Sequence, residues 1–425
     1  MTMIRRLVLF ILVTALLAAA AVWLAERPGQ VVVHWLGWKI TGPVPLLILA
    51  LVALLAMGAL LVKLARAVVG FPARWLAARR ARRTREGYRA LSDGLAAVAV
   101  GDRRQARKLA RRADKLLADH SLTGLLTAQA ATLSGDETEA ERRLTAMVER
   151  PETAFLGLKG LMDLALKDRD YPAALDYARR AWALGGASDG LAATLFDLQA
   201  RAGQWAEAEA TLYEAKKRAT LPAGTLARFR ALTLLERARQ EADTLAAVRS
   251  ALEAHKADPG FVPAAVMAAT LLQRLDKHRK AAAVLTETWR ISPHPELVEA
   301  HLALAPAETP LARVKRLGKL IKANPDAPDG HIALAEAALA AKLWGLARTH
   351  LDLALARRPT AGLYMLYARL EREDRHDEAA AQGWIAKSAT APSEPAWTCG
   401  ACGKPADRWT VTCPQCGAVD SLDWR

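Results

Sequence analysis

Four cysteines lie in the last 27 residues and nowhere else in the chain. They form two pairs, Cys399/Cys402 and Cys413/Cys416, each a CxxC followed directly by glycine (Gly403, Gly417), with ten residues between the pairs. Such a turn lets backbone amides point at the sulfurs, and four thiolates close a tetrahedron around a borderline or soft metal. The expected ligands are Cys399, Cys402, Cys413 and Cys416, with zinc ahead of iron as the occupant. All four positions are then filled by protein, so the module at 397–425 is structural or a docking surface and not a catalytic centre. A disulfide reading needs an oxidising compartment, a redox CxxC needs a βαβ setting, and haem attachment needs histidine where Gly403 and Gly417 stand. Cys413-Pro414 is a knuckle sequence as well as a haem-regulatory dipeptide, and the knuckle reading is preferred. A module this small cannot be held by core burial alone, so the metal supplies most of its folding free energy. Trp397, Trp409 and Trp424 are its expected core.

No other constellation carries chemistry. The nine histidines are scattered, with no HExxH, and the chain contains no GxxxxGK[ST], GxGxxG or GxSxG. No catalytic and no cofactor-binding residue is therefore assigned, and the chain is expected not to be an enzyme. Its balance of 59 Lys+Arg against 44 Asp+Glu, with 52% apolar and 6% aromatic residues, excludes a disordered tail, a collagen and a small disulfide scaffold.

What must position the cysteines begins at a membrane. Residues 7–24 and 44–62 are 18 and 19 residues without a charge, each about long enough to cross roughly 30 Å of hydrocarbon as a helix. Arg5 and Arg6 precede the first run, nine Lys and Arg between Lys63 and Arg89 follow the second, and only Arg27 and Lys39 stand between. The positive-inside rule predicts a two-pass protein with its N-terminus and everything after Lys63 in the cytoplasm. A cleavable signal is the alternative for residues 7–24, and it leaves the later residues on the same side. The basic stretch 63–89 suits anionic headgroups. Nucleic acid is not an expected partner, because Lys404, Arg408 and Arg425 in the cysteine tail are balanced by Asp407, Asp420 and Asp423.

Between membrane and cysteines runs an internal repeat. A small residue with partners four and seven positions later recurs at Ala106, Ala140, Ala174, Ala208, Ala247, Ala281, Ala347 and, more loosely, Ala380, with spacings of 34, 34, 34, 39, 34, 66 and 33. The 66 hides a degenerate unit around Arg313, Leu317 and Leu320. Gly101, Gly135 and Gly203 precede their anchors by five, Tyr171, Trp205 and Trp344 by three, and Pro259, Pro293 and Pro359 follow by twelve. Small first-helix positions stand at Gly94, Ala128, Ala269, Ala335 and Ala368. This pattern resembles the tetratricopeptide repeat, a helix-turn-helix unit of 34 residues, and the resemblance implies an α-solenoid that binds proteins. The basic residues Arg103, Arg104, Arg107, Lys108, Arg111 and Arg112 are either a solvated face near an anionic membrane or a docking site for an acidic partner.

The expected fold class is all-α: two transmembrane helices (1–66), a basic juxtamembrane helix (67–90), a solenoid of about nine units (91–390) and the four-cysteine module (397–425). The apolar hairpin around ERPGQVVVHWLG at 26–37, the basic helix and the array resemble the proteobacterial HemY inner-membrane protein. The cysteine tail behind such repeats resembles the rubredoxin-like module of LapB, an adaptor of a membrane protease in lipopolysaccharide control. The HemY resemblance implies a scaffold at the bacterial inner membrane whose partners are enzymes of late haem synthesis; the LapB resemblance implies the protease adaptor instead. Whether haem itself binds is left open.

Overall fold

The computed structural model describes residues 8, 11–12, 14–16, 18–19, 22–23, 29–35, 37–117, 120–185 and 189–425. The chain divides into two compact units, Met1–Ser134 and Gly135–Arg425. Ten of the 18 residues of the apolar run at 7–24 are described, in helical conformation, and the other eight lie outside the described residues.

In the first unit, strands β1 (Gln30–Trp35) and β2 (Trp38–Pro43) form an antiparallel hairpin with Trp35 opposite Trp38. Gly37 in the connection adopts φ 87°, which a side chain would resist. The helical expectation for this chain did not include that hairpin. Helix α1 then runs unbroken from Val44–Val100, 57 residues, about 85 Å at 1.5 Å per residue. Its segment Ile48–Ala65 is the one helix among the described residues long and apolar enough to cross a membrane. The basic stretch is thus not a separate helix: second apolar run, basic stretch and first repeat helix share one rod. Helices α2 (Arg103–Leu116) and α3 (His120–Ser134) pack against its far end through Ala90, Leu91, Ala106, Ala110, Ala113 and Leu126. A Cβ on Gly94 would stand 2.7 Å from Leu126 Cδ2, so any larger residue at this crossing would displace the Leu126 side chain.

The second unit opens with α4 (Glu137–Val148) and continues in pairs: α5 (Ala154–Lys167) with α6 (Tyr171–Ala183), α7 (Asp189–Arg201) with α8 (Trp205–Lys217), and α9 (Ala223–Gln240) with α10 (Thr244–Ala257). Next come α11 (Val262–Arg274) with α12 (His278–Ile291), α13 (Pro295–Ala303) with α14 (Pro310–Ile321), α15 (Pro328–Ala340) with α16 (Trp344–Leu355), and α17 (Ala361–Arg375) with α18 (Glu378–Ser388). The anchors Ala140, Ala174, Ala208, Ala281 and Ala347 are fully buried in second helices. Two readings shift by one residue. Ala381, not Ala380, is the fully buried anchor of the last pair, and Val314, not Arg313, is the buried residue of the degenerate one.

The turn inside every pair except α9–α10 and α13–α14 is also periodic. Gly101, Gly135 and Gly203 have positive φ, and so do Arg169, Asp276, Lys342 and His376 at the equivalent positions. The amide directly after the left-handed residue returns to a carbonyl five back in Asp102→Ala97, Asp170→Ala165, Gln204→Gln199, Lys277→Leu272 and Leu343→Ala338, the Schellman closure that ends a helix at a left-handed residue. Asp102, Asp136, Asp170 and Asp377 then accept from the amide three residues on and start the second helix. The turn geometry is kept even where glycine is replaced, at a strain of about 1 kcal/mol.

Close packing of α5 on α4 yields a test. A Cβ on Gly157 would lie 2.7 Å from the Leu144 carbonyl oxygen, whereas one on Gly383 meets nothing within 4 Å. Gly157→Ala is expected to destabilise the array by about 1–3 kcal/mol, and Gly383→Ala to stabilise it by about 0.4–1 kcal/mol, both read by chemical unfolding monitored through helicity.

Candidate metal centre

The two knuckles are the same turn built twice. Gly403 N–H donates to the Cys399 carbonyl and Cys399 N–H to that of Lys404; Gly417 N–H donates to Cys413 and Cys413 N–H to Ala418. Gly403 and Gly417 take φ 70° and 71°, a conformation costly for any side chain. Strand β3 (Trp397–Cys399) pairs with β4 (Pro405–Ala406) on one side and β5 (Leu422–Trp424) on the other, which brings the second knuckle over the first.

All four sulfurs lie within 4.8 Å of one another. Cys399 Sγ is 3.7 Å from Cys416 Sγ, and Cys402 Sγ is 3.9 Å from Cys413 Sγ. A tetrahedron with metal–sulfur bonds of about 2.3 Å has edges of about 3.8 Å, so the donor set fits one ion. These separations are far beyond a disulfide bond of about 2.05 Å, and all four cysteines are free. The Ser421 hydroxyl, 3.2 Å from Cys399 Sγ, together with the amides of Cys402 and Ala401, pulls that thiol down to about 6 against the effect of burial. The fold thus favours the thiolate at Cys399, whereas Cys402, despite the Lys404 amide, is pushed up to about 11 by burial and the neighbouring sulfurs.

The tryptophans do something the sequence did not announce. Instead of forming a core for the module alone, they attach it to the array. Trp397 stacks on His294 with ring centroids 4.9 Å apart and donates through Nε1 to Glu296 Oε1 at 2.7 Å. Trp424 closes on the same histidine at 4.4 Å. Trp409 meets Phe261 edge-on at 5.0 Å with the Arg239 guanidinium over its ring. Arg228 reaches Asp420 with two nitrogens at 2.9 and 2.7 Å while holding Asp258 at 3.2 Å and covering the Phe261 ring. Burial opposes that guanidinium's charge, and the two carboxylates outweigh it. One apolar cluster contains Phe196, Leu232, Phe261, Trp397, Cys399, Trp409 and Cys413, so two of the expected ligands share a core with the array. Every array residue named here stands on a first helix of a pair, just before one, or near its end.

Arg228, Phe261, His294 and Glu296 were not identified from the sequence. Two signals pointed near them: the spacing of 39 marks the lengthened helix α9, and three of the chain's six phenylalanines, Phe196, Phe229 and Phe261, fall beside the module.

Comparison with known proteins follows the same division. Residues 29–135 match the family described as HemY protein N-terminus. The probable magnetosome protein Mms48 of Magnetospirillum gryphiswaldense is 30% identical over 433 residues, covering 99% of this chain and 94% of the relative. The chain belongs to the Mms48 family. Among solved structures, a tetratricopeptide repeat protein from Parabacteroides merdae is 16% identical with a TM-score of 0.30, over 56% of this chain and 93% of that one. The Naa15/Naa10 complex bound to HypK-THB is 13% identical with a TM-score of 0.41, over 76% and 61%. This Mms48-family chain thus combines a HemY-type N-terminal region, a tetratricopeptide-type array and a four-cysteine cluster able to hold a metal.

Two outcomes test the centre. Purified chain is expected to carry one metal ion, and Cys413→Ser/Cys416→Ser to carry none and to expose Trp397 and Trp409 to solvent, read by elemental analysis and tryptophan emission. The second concerns pH. Burial pushes His294 down to about 4 from its ordinary 6.5, with Asp329, itself paired to Arg358, and Glu296 as the facing carboxylates. Between those values the undocked histidine binds a proton that the docked one excludes, so attachment weakens as pH falls from about 6.5 toward about 4. His294→Phe, which keeps the stacking and cannot be protonated, is expected to flatten that part of the emission profile above the pH at which metal is lost.

Proposed function

We propose that this protein is a non-enzymatic, membrane-anchored scaffold that gathers cytoplasmic protein partners. The observation that carries this reading is the continuity of α1: an apolar span and the first repeat helix are one rod, so the start of an array suited to protein contact is held at a set distance from a bilayer. The topology follows from charge: two passes through a bacterial inner membrane, with the N-terminus and array in the cytoplasm. Lys63 and Arg66, next to the end of the span, are the bases best placed for anionic headgroups.

The HemY-type N-terminal region supports late haem synthesis as the setting, with terminal porphyrin enzymes as partners and zinc, or else iron, at Cys399, Cys402, Cys413 and Cys416. The metal is structural: it fixes the knuckles that hold the module on the first-helix face of the array. Partners then take the remaining stretch of that face or the module's outer surface, where Lys404 is exposed. The docked four-cysteine module also favours a second reading, an adaptor of the LapB kind that serves a membrane protease. Mms48 is by name a probable magnetosome protein, and a scaffold at an internal membrane is the form in which that description extends to this chain.

Crosslinking and affinity mass spectrometry on membranes bearing a tagged chain separates these readings. Ferrochelatase or neighbouring porphyrin enzymes are the expected captures, with fewer recovered by Cys413→Ser/Cys416→Ser. A membrane protease with lipopolysaccharide enzymes establishes the second reading, and capture of neither set overturns both.

A further inference from the structure

Helix α2 and the adjoining part of α1 frame a trough of about 920 Å³ lined by seven bases and one acid. The acid, Glu86, is already paired with Arg112 at 3.3 Å. Arg103, Arg104, Lys108 and Arg111 are exposed and have no ion pair among the described residues. The helix is anchored from behind by the buried Ala106, Ala110 and Ala113, so the bases stand on a rigid face rather than a mobile tail. Between Arg104 and Lys115 that face is about 16 Å long, the length of about five extended residues.

The occupant has to be anionic, and three observations choose among anions. With Ile48–Ala65 in the bilayer, Glu86 lies 21 residues farther along one unbroken helix, about 30 Å from the hydrocarbon edge. That distance is several screening lengths at physiological salt, about 8 Å each, and it removes headgroups from reach. No aromatic side chain lines the trough, so it lacks the stacking platform by which single-stranded nucleic acids are held. Nor does the most acidic stretch among the described residues offer a free run of carboxylates: Glu371, Glu373 and Glu378 are paired with Arg348, Arg369 and Arg372. Guanidinium forks match carboxylates in pairs. We infer that the trough is a docking site for an extended acidic peptide, a run of about five Asp or Glu residues in another protein.

This deepens the scaffold reading and depends on its membrane anchor only for the distance argument. The test uses the full chain in discs of neutral phosphatidylcholine and a fluorescent Gly/Ser peptide carrying five consecutive glutamates, with a glutamine version as control. The expected result is binding of the acidic peptide only, weakened at least about tenfold in Arg104→Gln/Lys108→Gln/Arg111→Gln and by less in Arg104→Lys/Arg111→Lys, which keeps the charge and loses the forks, with unchanged helicity. Anionic phosphatidylglycerol in the disc is expected not to compete. Equal affinity in the glutamine variant overturns the proposal, as does displacement by the anionic lipid or tighter binding of single-stranded DNA through the same three residues. Failure to capture haem enzymes from membranes would refute the proposed setting and leave this binding result standing.

Discussion

The array rests on helices approaching so closely that only a hydrogen atom or a methyl group fits at the crossing. Gly157 faces the backbone of α4, Gly94 faces Leu126, and the anchor alanines Ala140, Ala174, Ala208, Ala281 and Ala347 have no exposed surface. Once the crossing is that tight, larger neighbours such as Leu144, Leu212, Leu285 and Leu351 drop into adjacent grooves and are buried in turn. The residue between the helices must then turn the chain within a few positions, which is why a left-handed residue recurs there whatever its side chain. Small residues at the crossing therefore fix both the pair and the period of the array.

That period was legible because it is local. A helix crossing that recurs every 34 residues repeats as a letter pattern, and Ala140, Ala174 and Ala208 reveal it without coordinates. Its degenerate instances were read one position off, since Val314 is not small and Ala380 and Ala381 are identical letters whose burial only the packing distinguishes. Arg169 and Lys342 hid the left-handed turn for a similar reason: glycine reports that conformation, but the hydrogen bonds of the turn impose it. The four cysteines were legible because metal chemistry demands both residue type and spacing.

Attachment of the cysteine module was not legible, because it joins Arg228 to Asp420 and Glu296 to Trp397 across 192 and 101 positions. Neither pair has a spacing rule. The contact also changes what the metal does. A four-thiolate site normally organises only its own few residues, but here Cys399 and Cys413 are in one apolar cluster with Phe196 and Leu232. On the proposed reading, metal binding, module folding and coverage of four successive first helices are thereby linked.

The two units use different physics for contact, and the difference has kinetic consequences. On α2 the bases are solvent-exposed on a preformed helix, a surface that accelerates encounter with an acidic partner and loses strength with salt. The module's attachment is mainly aromatic, with its principal ion pair partly buried beside Phe261, so salt screens it little and release requires the cluster to open. On the proposed reading, an acidic partner of the first unit would be captured and released quickly, and access to the face beneath the module would change slowly. Separating these surfaces lets one chain hold a constant anchor and a readily exchanged partner at once, the division of labour a membrane scaffold needs.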